Sequence, residues 1–158
     1  MNANTTIEVS TKNSKETEKL AESLGELLKG GEVFLLSSDL GGGKTTFTKG
    51  LAKGLGSEDI VTSPTFTVSN SYDCRDDIKL HHFDFYRLNE GGMVEYELAE
   101  YIDDPKNVIV IEWGDIVDDS IPEARVTVDF KRVVTGEDDR LLTFTISSEL
   151  NYLEDAIR

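Results

Sequence analysis

Residues 37–46 read S-S-D-L-G-G-G-K-T-T, directly after the short apolar run E-V-F-L-L-S at 32–37. A continuous apolar run of this length is the pattern of a strand covered on both faces. Beyond the loop, Phe47, Leu51 and Leu55 recur at helical spacing until Gly54 and Gly56 break the pattern. The stretch therefore predicts strand, glycine loop, helix. That geometry turns backbone N–H groups inward ahead of a helix N-terminus, which suits a phosphate group. The strict pattern G-x-x-x-x-G-K-[ST] has glycine where this chain has Ser38. A small residue with negative φ can fill that turn position, and Gly41 adds freedom inside the loop. On this reading Gly41, Gly42 and Gly43 line the phosphates and Lys44 reaches the β- and γ-phosphates. The Thr45 hydroxyl binds Mg2+, and Thr46 bonds a phosphate or caps the helix. The plainer account is an ordinary glycine turn with a surface lysine.

The rest of the chain alternates in the same way. Thr5 to Ser10 predicts an edge strand. Asn13 with Glu16 resembles a capping box ahead of Leu20, Leu24, Leu27 and Leu28, a helix that Gly30-Gly31 would stop. Further strands are expected at 65–72, 80–86 and 107–113, and a helix from Met93 to Ile102 with Leu98 and Ile102 on one face. A late antiparallel hairpin is expected from 125–130 and 141–146 around Gly136. Together these predict an α/β fold, one domain over 1–158, with a mixed, largely parallel central sheet flanked by helices.

Phosphoryl chemistry needs a carboxylate near the metal, at the C-terminal end of a second strand. Asp84, in H-H-F-D-F-Y-R, and Glu112, closing V-I-V-I, both fit that placement, and either could serve. His81 and His82 are neighbours on a strand, so they face opposite ways and cannot both ligate one ion; core packing or a surface position is expected of both. Tyr86-Arg87 could orient phosphate or a partner, or form a surface ion pair. Cys74 has no pairing base nearby and reads as inert.

Composition narrows the functions. Formal net charge is −15, from 16 Lys and Arg against 31 Asp and Glu. Phosphate-backbone contacts depend on Lys and Arg, so no strong direct nucleic-acid binding is expected. No apolar run approaches the roughly 18 residues that span a bilayer, and the polar N-terminus is no signal peptide. A single cysteine excludes an internal disulfide; a cytoplasmic protein is the expectation.

Four motifs in order, D-L-G-G-G-K-T-T, T-S-P-T-F (62–66), H-F-D-F-Y-R-L (82–88) and I-E-W-G-D (111–115), resemble the TsaE (YjeE) family of bacterial P-loop ATPases of tRNA threonylcarbamoyladenosine biosynthesis. The resemblance runs from the first strand to the late hairpin. Members usually carry glycine at the position of Ser38 and alanine at that of Gly42. The resemblance implies an ATP and Mg2+ site in which Gly41 to Thr46 bind the triphosphate and Thr45 with Glu112 hold the metal. It implies that Asp84 serves hydrolysis or metal positioning, that Thr65 senses the γ-phosphate and that Trp113 lies close to the nucleotide. Thr11 and Arg132 are implied as base or ribose contacts. The implied activity is weak ATP hydrolysis supporting a two-protein threonylcarbamoyl-transferase complex that modifies adenosine 37 of tRNA.

Two other functions compete. A small-molecule kinase would bring several arginines over the transferred phosphate, and no arginine-rich segment follows the loop. A non-catalytic interaction module would leave the glycine turn empty. A GTPase is disfavoured because no N-K-x-D motif occurs.

Overall fold

The computed structural model describes residues 4–38, 43–61, 69–85, 92–112, 121–133 and 139–158. In chain order the elements are β1 (Thr5–Thr11), α1 (Ser14–Leu27), β2 (Val33–Ser37), α2 (Lys44–Gly54) and β3 (Ser69–Asp73). These are followed by β4 (Lys79–Asp84), α3 (Gly92–Asp103), β5 (Asn107–Glu112), β6 (Val126–Arg132) and β7 (Arg140–Ile146). A 3-10 turn, Arg75–Asp77, joins β3 to β4, and a 3-10 segment, Ser148–Ala156, follows β7.

The seven strands make one sheet in the order β1-β7-β6-β2-β5-β4-β3. Its centre, β6-β2-β5-β4, is parallel; β1 and β7 on one side and β3 on the other pair antiparallel. Both faces of the centre are covered, which explains the unbroken apolar runs of β2 and β5. Phe34, Leu36, Val108, Val110 and Val128 pack under α1, α2 and the C-terminal segment. Val33, Ile109, Ile111 and Phe83 look the other way, toward Leu98 of α3.

Asn13 caps α1, its Oδ1 accepting the Glu16 N–H at 2.9 Å; the Glu16 carboxylate reaches back to the Lys12 N–H rather than to that of Asn13. The helix stop differs from expectation. Helix α1 ends at Leu27 and Leu28 is already extended, while Gly30 and Gly31 (φ +102° and +91°) shape the loop beyond. Glu32, expected to open the strand, instead turns its buried carboxylate back into this loop. It accepts the Lys29 and Gly30 N–H groups at 2.8 Å each and the Tyr152 hydroxyl at 2.5 Å.

Helix α2 ends at Gly54, as the glycine there suggests, but that residue also serves packing. A Cβ on Gly54 would lie 2.1 Å from the Glu22 carbonyl oxygen, and one on Gly50 would lie 2.2 Å from that of Glu18. Gly25 of α1 faces Gly54 just as closely, so α1 and α2 touch backbone to backbone. Arg75 closes the pair. Its guanidinium donates to the Gly54 carbonyl at 2.8 Å and the Leu28 carbonyl at 2.7 Å, with Gly25 and Glu26 carbonyls at 3.3 and 3.2 Å. These are the C-terminal acceptors a helix cannot satisfy internally.

The described part of the strand expected at 65–72 is β3, starting at Ser69. The Gly136 turn lies outside the described residues, as does Tyr86-Arg87. The 3-10 segment answers to no expected element; it buries Leu150 and Leu153, and Ile157 is buried just beyond it. Among the described residues no helix is long and apolar enough to cross a membrane.

Candidate functional site

Strand alternation decides which side chains can meet. In β4 and β5 the residues Leu80, Val108 and Val110 face α1 and α2, so His82, Asp84 and Glu112, each an even step away, face the same side. Asp84 and Glu112 are register partners at the C-terminal ends of these parallel strands, a common position for ligand-binding groups in such sheets. Helix α2 begins at Lys44 on that side. The Lys44 Nζ lies 3.5 Å from Glu112 Oε1, with both side chains 6% exposed. His82, fully buried, hydrogen-bonds through Nε2 to the other oxygen, Oε2. Buried charges require such partners.

Gly43 stands immediately before the helix with φ +107°, a left-handed conformation that glycine adopts without strain. Its N-cap is Gly43, which has no side chain to cap the first turn, and a helix N-terminus of this kind is where an anion is favoured. Thr45 and Thr46 are half-buried beside Lys44. Of the expected site residues, Lys44, Asp84 and Glu112 are thus brought to one side of the sheet, with Gly43 and Thr45 adjoining. Gly41, Gly42, Thr65 and Trp113 lie outside the described residues.

Thr11 and Arg132 lie on other strands, β1 and β6. Both are register partners of Arg140 on β7, so the three form one cross-strand row. The Thr11 hydroxyl is buried against Thr17 Oγ1 at 2.7 Å, and Arg132 is exposed. Arg140 belongs to no sequence motif; only the strand register places it in this row.

The two histidines do face opposite ways. His81 is held at both ring nitrogens, Nδ1 by the Ser71 hydroxyl at 2.7 Å and Nε2 by Asn107 Oδ1 at 3.0 Å. Because Asn107 donates its amide N–H to the Tyr101 carbonyl, its Oδ1 must accept from Nε2–H and leave Nδ1 to accept from Ser71. The ring stacks on Tyr101 at 4.1 Å and 9°, and burial lowers its pKa below the ordinary 6.5, so it stays neutral at pH 7. This is a packing histidine, as expected. His82 is different: core packing does not describe a ring bonded to the candidate metal acid. The signal available was its position two residues before Asp84, on the same strand face. Burial raises the Cys74 thiol to about 11, which makes it a poor nucleophile, in line with expectation.

Among the described residues no three His, Cys, Asp or Glu side chains gather as a metal cage. Magnesium needs none: it keeps water and phosphate oxygens and takes one or two protein oxygens. A hydroxyl from Thr45 with the carboxylate of Glu112, and Asp84 beside it, matches that donor set.

The family model described as "Threonylcarbamoyl adenosine biosynthesis protein TsaE" matches residues 11–140. The tRNA threonylcarbamoyladenosine biosynthesis protein TsaE of Bacillus subtilis is 40% identical over 135 residues, covering 85% of this chain and 82% of that protein. The TsaE of Streptomyces coelicolor is 37% identical, covering 82% of this chain and 88% of that protein. A crystal structure of Bacillus subtilis YdiB superposes with a TM-score of 0.75 at 32% identity, covering 98% of this chain and 95% of that one. With the family model spanning most of the chain and relatives matched nearly end to end, this protein belongs to the TsaE family of tRNA threonylcarbamoyladenosine biosynthesis proteins.

Proposed function

We propose that the chain binds Mg·ATP at the start of α2, hydrolyses it slowly, and thereby supports a two-protein threonylcarbamoyl-transferase complex acting on adenosine 37 of tRNA. The observation that carries this is the buried Lys44–Glu112 pair, at 3.5 Å, where a helix without a side-chain cap meets the C-terminal ends of two parallel strands. An ammonium beside a buried carboxylate supplies the two groups that phosphoryl chemistry needs, one for phosphate oxygens and one for a metal.

In this scheme Lys44 and the leading amides of α2 bind the phosphate oxygens and offset their charge. Thr45 and Glu112 hold Mg2+, which when bound neutralises charge across the β- and γ-phosphates. Asp84 acts beside Glu112, on the metal shell or the attacking water. Gly41 and Gly42 belong to the phosphate loop, Thr65 senses the γ-phosphate, and Trp113 and Arg132 contact the nucleoside, whereas the buried Thr11 is left to its bond with Thr17. The net charge of −15 suits a protein that leaves tRNA to its partners.

The test is Lys44→Ala in the reconstituted tRNA-modification system. Loss of ATP turnover is expected; turnover equal to that of the unaltered chain would reject the proposal.

A further inference from the structure

We propose that His82 is a positioning residue for Glu112, fixing the carboxylate through Nε2–H so that its other oxygen serves the metal and phosphate side. The proposal rests on the nucleotide reading above and deepens it.

Three observations carry it. First, the two Glu112 oxygens have separate partners: Oε2 is hydrogen-bonded to His82, while Oε1 forms a longer ion pair with the Lys44 ammonium at 3.5 Å, at the outer limit of hydrogen bonding. The directional contact is therefore the one from His82. Second, His82 is fully buried and Glu112 4% exposed, so water offers no ready substitute if the imidazole is removed. Third, His82 Nδ1 has no hydrogen-bond partner among the described residues. A ring kept only to fill the core would carry that orphan nitrogen at a loss, since an apolar side chain would pack there without one. His81, one residue earlier, shows the contrast: both of its nitrogens are satisfied.

The unpartnered Nδ1 also selects a tautomer. With hydrogen on Nε2, only a lone pair is left unmatched; the alternative puts an unpaired N–H at Nδ1 and two lone pairs face to face at Glu112. His82 thus donates, and Glu112 accepts with the carboxylate plane held. Lys44 can then turn to phosphate oxygens while the acid stays in place. Partners that orient a metal-binding side chain in this way are worth about 10- to 100-fold in metal affinity or activity.

The experiment titrates a fluorescent ATP analogue into the full chain, in EDTA and across a Mg2+ series, for the unaltered protein, His82→Leu and His82→Gln. His82→Leu should raise the Mg2+ concentration for half-maximal effect by about 10-fold or more, with EDTA affinity little changed. His82→Gln, whose amide N–H can reach the same oxygen, should recover most of the loss. A folded His82→Leu protein that binds nucleotide with an unaltered Mg2+ requirement overturns the role of His82 and leaves the nucleotide site standing. An unaltered chain that binds no nucleotide overturns both. Should His82→Leu not fold, imidazole NMR on the unsubstituted chain decides. A low-field Nε2–H proton that moves upfield in Glu112→Gln supports the contact; its absence, or its indifference to that change, refutes it.

Discussion

Replacing Gly50 by alanine sets two physical effects against each other, and the structure predicts the winner. Inside an isolated helix Gly→Ala is favourable by about 1 kcal/mol, because glycine gives up more backbone freedom and offers no side chain. At position 50 the new Cβ would meet the Glu18 carbonyl oxygen at 2.2 Å and the Ala21 Cβ at 2.6 Å. Comfortable non-bonded separations are about 3.5–4.0 Å, so α1 and α2 would have to part by about 1 Å. The obstacle is backbone, which no rotamer change relieves. Overpacking of this kind costs about 1–3 kcal/mol, and the separation also thins dispersion along the helix pair. The expected net effect is a loss of about 1 kcal/mol, or a Tm lower by about 2–4 °C for a chain of this length. Thermal unfolding followed by circular dichroism measures it, with a peptide spanning 44–56 as the propensity control. The peptide should gain helix while the full chain loses stability. A full-length Gly50→Ala protein as stable as the original would refute the close-contact account of α1 and α2.

Removing the Glu32 carboxylate by alanine should cost about 2–4 kcal/mol, since two loop N–H groups and the Tyr152 hydroxyl lose a charged acceptor, and Tyr152→Phe about 1–2 kcal/mol; urea midpoints would show both. For His81 the folded pKa lies below the unfolded 6.5, so the unfolded chain takes up the proton first as pH falls. Stability should be full above about pH 6.5 and decline below it, and His81→Gln should remove that share of the slope. Equal slopes in the two proteins would contradict the neutral, doubly bonded ring.

Much of this arrangement can be read from short stretches. Three glycines between an apolar run and a helical repeat, followed by Lys44 and Thr45, announce a strand–loop–helix unit with little ambiguity. Period-two alternation separates His81 from His82. What it cannot convey is which of them meets a carboxylate 30 positions away, because that depends on the β4–β5 register. Glu32 was hidden for a related reason: it stands at the head of an apolar run, and one of its donors, Tyr152, comes from the far end of the chain. Gly25, Gly50 and Gly54 look locally like weak points of a helix, whereas their reason lies in the facing helix. In the tail, Leu150, Leu153 and Ile157 stand at i, i+3 and i+7, a helical spacing, but over a stretch too short and acidic to announce that all three are buried.

Arg75 has a mechanical consequence. One guanidinium ties the trailing ends of α1 and α2 to the short turn between two strands at the sheet margin, and its own N–H is pinned to the Leu55 carbonyl. The trailing ends of α1 and α2 and the β3–β4 turn therefore share one anchor, and parting any one of them from the others means breaking hydrogen bonds of this single side chain.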